Sequence, residues 1–101
     1  MDDEKLTSRL KSVGMGFFVE YFDELYDNTI VSHNIILKLE RENKFTSSAR
    51  ASRVSSARSI LKQGMGELAL RKVVLSTSRR VSDKTRDLAR YLLMHYFKSS
   101  V

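Results

Sequence analysis

An all-α fold, a compact bundle of five to six short helices, is what these 101 residues predict. Three observations carry that reading. Proline is absent, so no helical pattern meets a residue that removes a backbone donor and clashes with the preceding turn. Apolar residues recur at spacings of three and four, and no segment shows the alternation of a strand or hairpin. The only four glycines form two identical triplets, Gly14-Met15-Gly16 and Gly64-Met65-Gly66, each shortly after a Leu-Lys pair (Leu10-Lys11 and Leu61-Lys62). Glycine takes the backbone conformations that close a helix, so both triplets read as a helix stop with a sharp turn.

The first helix is predicted from about Asp2 to Val13, with Asp2, Asp3 and Glu4 near the positive end of its dipole. A second covers Gly16 to Tyr26, where Phe18, Phe22 and Leu25 share a face and Phe17 and Tyr21 flank it. The third begins near Asn28, Thr29 or Ser32, all competent caps, and runs through Ile30, Val31, Ile35, Ile36 and Leu39 to about Glu42. The fourth starts at Thr46 or Ser47 and ends before Gly64. A fifth spans Glu67 to Leu75. The last starts at Ser82 and continues to Lys98, with Thr85, Leu88, Ala89, Leu92, Leu93 and Tyr96 at helical spacing.

Residues 1–101 read as one domain, with 42% apolar residues, five Phe and four Tyr to build a core. A chain this long buries roughly two-thirds of its unfolded surface. Without cysteine there are no disulfides and no thiolate ligands. The acidic, polar start MDDEKLTSRL is unlike a secretory leader, and no apolar run approaches the roughly 18 residues of a membrane span. The expected setting is cytoplasmic, with no membrane partner and no cofactor.

Charge is distributed unevenly. Between Lys44 and Arg90 stand twelve basic residues against Glu67, Asp83 and Asp87, a net charge of +9. Residues 1–34 carry seven acidic and three basic residues, a net charge of −4. Such polarity gives one face that attracts polyanions, so nucleic acid is the first partner to weigh.

The segment SSARASRVSSARSILK, residues 47–62, is the most unusual. At 100° per residue, Ala49, Val54, Ala57, Ile60 and Leu61 fall within about 140° and form its buried stripe. Ser48, Ser52, Ser55 and Ser59 gather on the opposite side within about 60°, bordered by Arg58 and Lys62. Hydroxyls edged by arginine permit close approach to phosphate oxygens. A preceding helix ending near Glu42 and the short connection Asn43-Lys44-Phe45 give a helix-turn-helix-like layout. Ser47, Ser48, Arg50 and Arg53 would then lie at the leading end of a recognition helix, where arginine pairs with guanine. Arg50 falls near the middle of the apolar arc, which makes a buried ion pair its alternative fate. A second basic cluster, Ser76-Thr77-Ser78-Arg79-Arg80-Val81-Ser82, reads as a mobile loop whose paired arginines meet phosphate. The candidate nucleic-acid-binding set is therefore Lys44, Ser47, Ser48, Arg50, Ser52, Arg53, Ser55, Arg58, Lys62, Arg79 and Arg80.

Catalysis has little support. His33 and His95 lie near no plausible metal set, and no serine sits in a glycine-flanked elbow. Arg90-Tyr-Leu-Leu-Met-His95 resembles the Arg-x4-His element of HEPN-type ribonucleases, which implies a dimeric, all-helical enzyme whose arginine and histidine act on RNA. That resemblance covers six residues, and Tyr91 stands where the family has a small polar residue. Phe17, Phe18, Tyr21, Phe22 and Tyr26 lie among acidic residues and read as core or as a protein or homodimer interface. The sequence thus points to a small DNA-binding protein, a transcriptional regulator or mobile-element accessory factor. A non-enzymatic inhibitor or adaptor docking its basic face on an acidic partner is the rival, and a HEPN-like ribonuclease ranks third.

Overall fold

In the computed structural model, which describes residues 1–101, seven helices and no strands surround one core. They are α1 (Asp3–Val13), α2 (Met15–Glu20), α3 (Phe22–Tyr26), α4 (Ser32–Arg41), α5 (Ser47–Lys62), α6 (Gly66–Leu75) and α7 (Asp83–Phe97). The all-helical expectation holds, and the number rises to seven because the predicted second helix breaks at Tyr21 (φ −105°, ψ 16°). The break lets one aromatic run serve different neighbours. α2 lies on α7, whereas α3 turns onto α4 and α5.

Several boundaries follow from named residues. The Asp2 carboxylate accepts the Lys5 N–H at 2.8 Å, Thr46 Oγ1 caps α5 and Ser82 Oγ caps α7, each satisfying a donor that a helix start leaves free. Both glycine triplets end helices as expected, Gly14 at φ 94° and Gly64 at φ 73°. α4 starts at Ser32 rather than at Asn28 or Thr29. The Asp27 carboxylate takes both the N–H and the hydroxyl of Thr29, at 2.9 and 2.7 Å, and holds that stretch in a turn.

Phe18 and Phe22 are fully buried at the centre with Leu6, Leu10, Ile35, Leu39, Ile60, Leu70 and Leu93. Side chains of this size contribute roughly 1.5–3 kcal/mol each when removed from water. Phe17 and Tyr21 are buried as well. The predicted N-terminal aromatic interface is therefore spent inside the fold, except for the half-exposed Tyr26. The largest exposed apolar side chains lie elsewhere, among them Leu75 on α6 and Tyr91 and Met94 on α7. No helix is long and apolar enough to cross a membrane.

Candidate nucleic-acid interface

The serine–arginine helix α5 buries Val54, Ala57 and Ile60, and it exposes Ser47, Ser48, Ser52, Ser55 and Lys62. Ser59 departs from the exposed strip: its hydroxyl accepts from Arg9 Nη1 at 2.9 Å and from Gln63 Nε2 at 3.1 Å.

The three arginines of α5 turn back onto the fold. Arg50 Nε donates to the Lys44 carbonyl at 2.7 Å, and Arg53 Nη1 donates to the Val13 carbonyl at 2.5 Å. Arg58 Nη2 donates to the carbonyls of Glu24 at 2.9 Å and Asp27 at 3.2 Å, and Nη1 donates to Ser32 Oγ at 3.2 Å. Val13 is the last residue of α1, and Glu24 and Asp27 lie at the end of α3. A helix end leaves carbonyls without partners and carries partial negative charge, so a guanidinium with five donors satisfies both needs. At the expected leading end of a recognition helix, Arg50 thus holds the connection before α5 and Arg53 holds α1, while Ser47 and Ser48 stay exposed. Arg50 meets a carbonyl rather than a buried acid.

The connection from α4 to α5 explains how Arg53 is aimed. Lys44 N–H bonds the Leu39 carbonyl and Asn43 N–H bonds that of Glu40, which closes α4 with Asn43 at φ 54°. Phe45 follows at φ 62°, a left-handed conformation costly for a bulky residue. Its ring packs edge-on against Phe17 and lies 4.1 Å beneath the Arg53 guanidinium. Lys44 is drawn away from solvent partners: Nζ bonds Glu20 at 3.1 Å and lies 5.3 Å from the Tyr21 ring centre. The bond to Glu20, and then that to Tyr21, raises the lysine's pKa.

The loop from Ser76 to Ser82 is tied down, where the sequence predicts a mobile segment. Ser76 Oγ accepts from Ser78 N–H and Ser78 Oγ accepts from Arg80 N–H, both at 3.2 Å. From the other side, Arg86 donates to the carbonyls of Ser76 at 2.9 Å and Ser78 at 3.1 Å, while it pairs with Asp83. Val81, 6% exposed, anchors the loop in the core. Arg79 and Arg80 stand exposed on this frame, and their side chains make no hydrogen bond or ion pair.

These elements meet in a crevice of about 490 Å³. It brings Arg53 of α5 together with Arg80, Ser76 and Ser78 of the loop and with Lys11 at the end of α1. No carboxylate lines it. Lys11 was hidden from sequence reasoning within the acidic third of the chain. Its only signal is its place in the last turn before Gly14, where a cation suits the helix dipole. Ser55, Arg58 and Lys62 border a different cavity of about 540 Å³ between α4 and α5. Asp23, Glu24 and Asp27 line a third with Tyr26 and Tyr96. The charge asymmetry of the sequence thus becomes separate basic and acidic concavities.

Arg90 and His95 are not joined by any hydrogen bond. Arg90 pairs with Asp87 at 2.8 Å, and the His95 ring stacks on Tyr91 with centroids 5.5 Å apart. No group of three or more His, Asp or Glu is placed to hold a metal ion. Compared with models of known protein families, with curated proteins and with solved structures, the chain finds no match.

Proposed function

We propose that this protein binds duplex DNA by its phosphate backbone, without reading bases through α5. The observation that carries this reading is the crevice that Lys11, Arg53 and Arg80 line with no acidic side chain. Arg79, Lys62 and the exposed serines of α5 extend the contact, since hydroxyls and cations both reach phosphate oxygens. Single strands are the poorer ligand. They bind by stacking on exposed aromatics, and here Phe17, Phe18, Tyr21 and Phe22 are buried, one face of Phe45 is taken by Arg53, and the exposed Tyr26 and Tyr91 do not line the basic crevice. A regulator or mobile-element accessory factor of this kind would act by occupying or shaping DNA. Competition between duplex DNA, single strands and RNA for a labelled duplex tests the ligand class. Duplex DNA should compete best, and preference for RNA or a single strand would replace this reading.

A second reading, self-association, rests on α7. Leu88, Tyr91 and His95 follow one another at spacings of three and four, the seam of a helix pair, and Tyr91 and Met94 are 59% and 55% exposed. Antiparallel pairing about Tyr91 sets Leu88 against Met94 of a second copy and the acidic Asp87 against His95. A one-helix seam falls short of the roughly 800 Å² per partner of a standard interface, so the dimer would be weak. Sedimentation velocity on the wild type and on Tyr91→Glu decides it: a concentration-dependent dimer lost in the variant supports the seam, and a monomer throughout removes it.

A further inference from the structure

We infer that the crevice between Lys11, Arg53 and Arg80 receives the terminal phosphate monoester of a nucleic-acid strand, an inference that rests on the nucleic-acid reading above. Its chemistry is that of an anion site: three cationic side chains and two serine hydroxyls, with no carboxylate to repel the ligand. The oxygens of Ser76 and Ser78 already accept backbone N–H groups. Their hydroxyl hydrogens are therefore the part left to donate, and an anionic oxygen is the acceptor they suit.

Shape separates a strand end from the rest of the backbone. An internal phosphate is a diester with a sugar on each side, so it lies across the mouth of a concavity. A terminal phosphate has one sugar, three free oxygens and a charge near −1.5 to −2 at neutral pH, and it enters end-on. Three cations lining one crevice match that charge better than the single charge of a diester. A volume of about 490 Å³ accommodates a phosphate with its attached sugar.

Part of the wall is set before the ligand arrives, while the exposed Lys11 and Arg80 side chains are free to close on it. Arg53 is held by the Val13 carbonyl and the Phe45 ring, and the serine loop is held by Arg86. Fixing these groups in advance lowers the ordering cost of binding.

The test uses a labelled DNA hairpin, which has one pair of ends, prepared with a 5′-phosphate, with a 3′-phosphate or with hydroxyls at both ends. A phosphorylated hairpin should bind about tenfold more tightly than the hydroxyl form, the gain of one added charge-assisted contact. The difference should vanish in Lys11→Ala and in Arg80→Ala, whatever affinity those variants retain. Equal affinity for all three hairpins, with salt-sensitive binding intact, overturns the inference and leaves the DNA reading standing. No binding to any hairpin overturns both. A preference that persists in Arg80→Ala places the site elsewhere and also overturns it. Free mononucleotide competing as well as the phosphorylated hairpin would make the ligand a soluble nucleotide and contradict the strand-end assignment.

Discussion

Arg58 and Glu24 lie 34 residues apart, and the guanidinium Nη2 of the first donates to the main-chain carbonyl of the second at 2.9 Å. This one bond states the principal use of arginine in the fold. Arg50, Arg53, Arg58 and Arg86 all donate to backbone carbonyls at helix ends or in loops. A basic composition that suggests ligand binding is here partly structural.

Arg58→Ala should therefore destabilise the protein. It removes a charged donor from the Glu24 carbonyl, and leaves that of Asp27 with the Ile30 N–H alone, a loss of about 2 kcal/mol. In a domain of this size that lowers the melting temperature by roughly 10 °C. Arg79→Ala and Arg80→Ala, with exposed side chains that make no hydrogen bond or ion pair, should stay within about 0.5 kcal/mol of the wild type. Thermal melts of the three variants check the contrast, and an unchanged melt for Arg58→Ala would refute the clamp.

Gly14→Ala should weaken the junction between α1 and α2. Its φ of 94° strains any residue with a Cβ, and that Cβ would stand 2.7 Å from Arg53 Nη1. The cost should be about 1–3 kcal/mol. Gly16→Ala is the control, because its Cβ would meet nothing within 4 Å. Chemical denaturation of both variants should show a lower midpoint for Gly14→Ala alone.

Alkaline pH should loosen the contact between α3 and α7. Tyr96 donates to the Asp23 carboxylate, and this bond, with burial second, pushes its pKa to about 12. Burial, followed by the bond to Glu42, raises that of Tyr21 too. A folded value above the unfolded value of about 10 stabilises the fold at lower pH, and that contribution fades as pH rises from about 10 to 12. The 295 nm titration difference between the wild type and Tyr96→Phe should contain a step near 12. A step near 10 would show that the bond does not form.

His95→Ala should leave DNA affinity unchanged and abolish no hydrolysis of RNA, since Arg90 is committed to Asp87 and His95 to Tyr91. Ribonuclease activity in the wild type that disappears in this variant would raise the HEPN resemblance above the binding reading.

The helices were legible in the sequence wherever a local signal specified them. The glycine triplets, the caps Thr46 and Ser82 and the stripe Val54-Ala57-Ile60 needed only neighbours in the chain. Tyr21 carried no mark of its break, because the break answers to packing against α4, α5 and α7. Arg50, Arg53 and Arg58 were visible as charges, but the carbonyls that claim them lie up to 40 residues away. Lys11 joins the crevice through tertiary folding alone. Spacing along one helix reports which residues share a face, and it is silent on what that face meets.

The salt dependence of duplex affinity tests the central claim most directly. Fluorescence anisotropy with a labelled duplex, measured from about 50 to about 200 mM salt, should give a log–log slope near −4 or steeper, because each neutralised phosphate releases counterions. Arg79→Ala and Arg80→Ala should each flatten that slope by about one unit and weaken binding to all sequences alike. Affinity no tighter than micromolar at the lowest salt, or a slope near zero, would contradict the account.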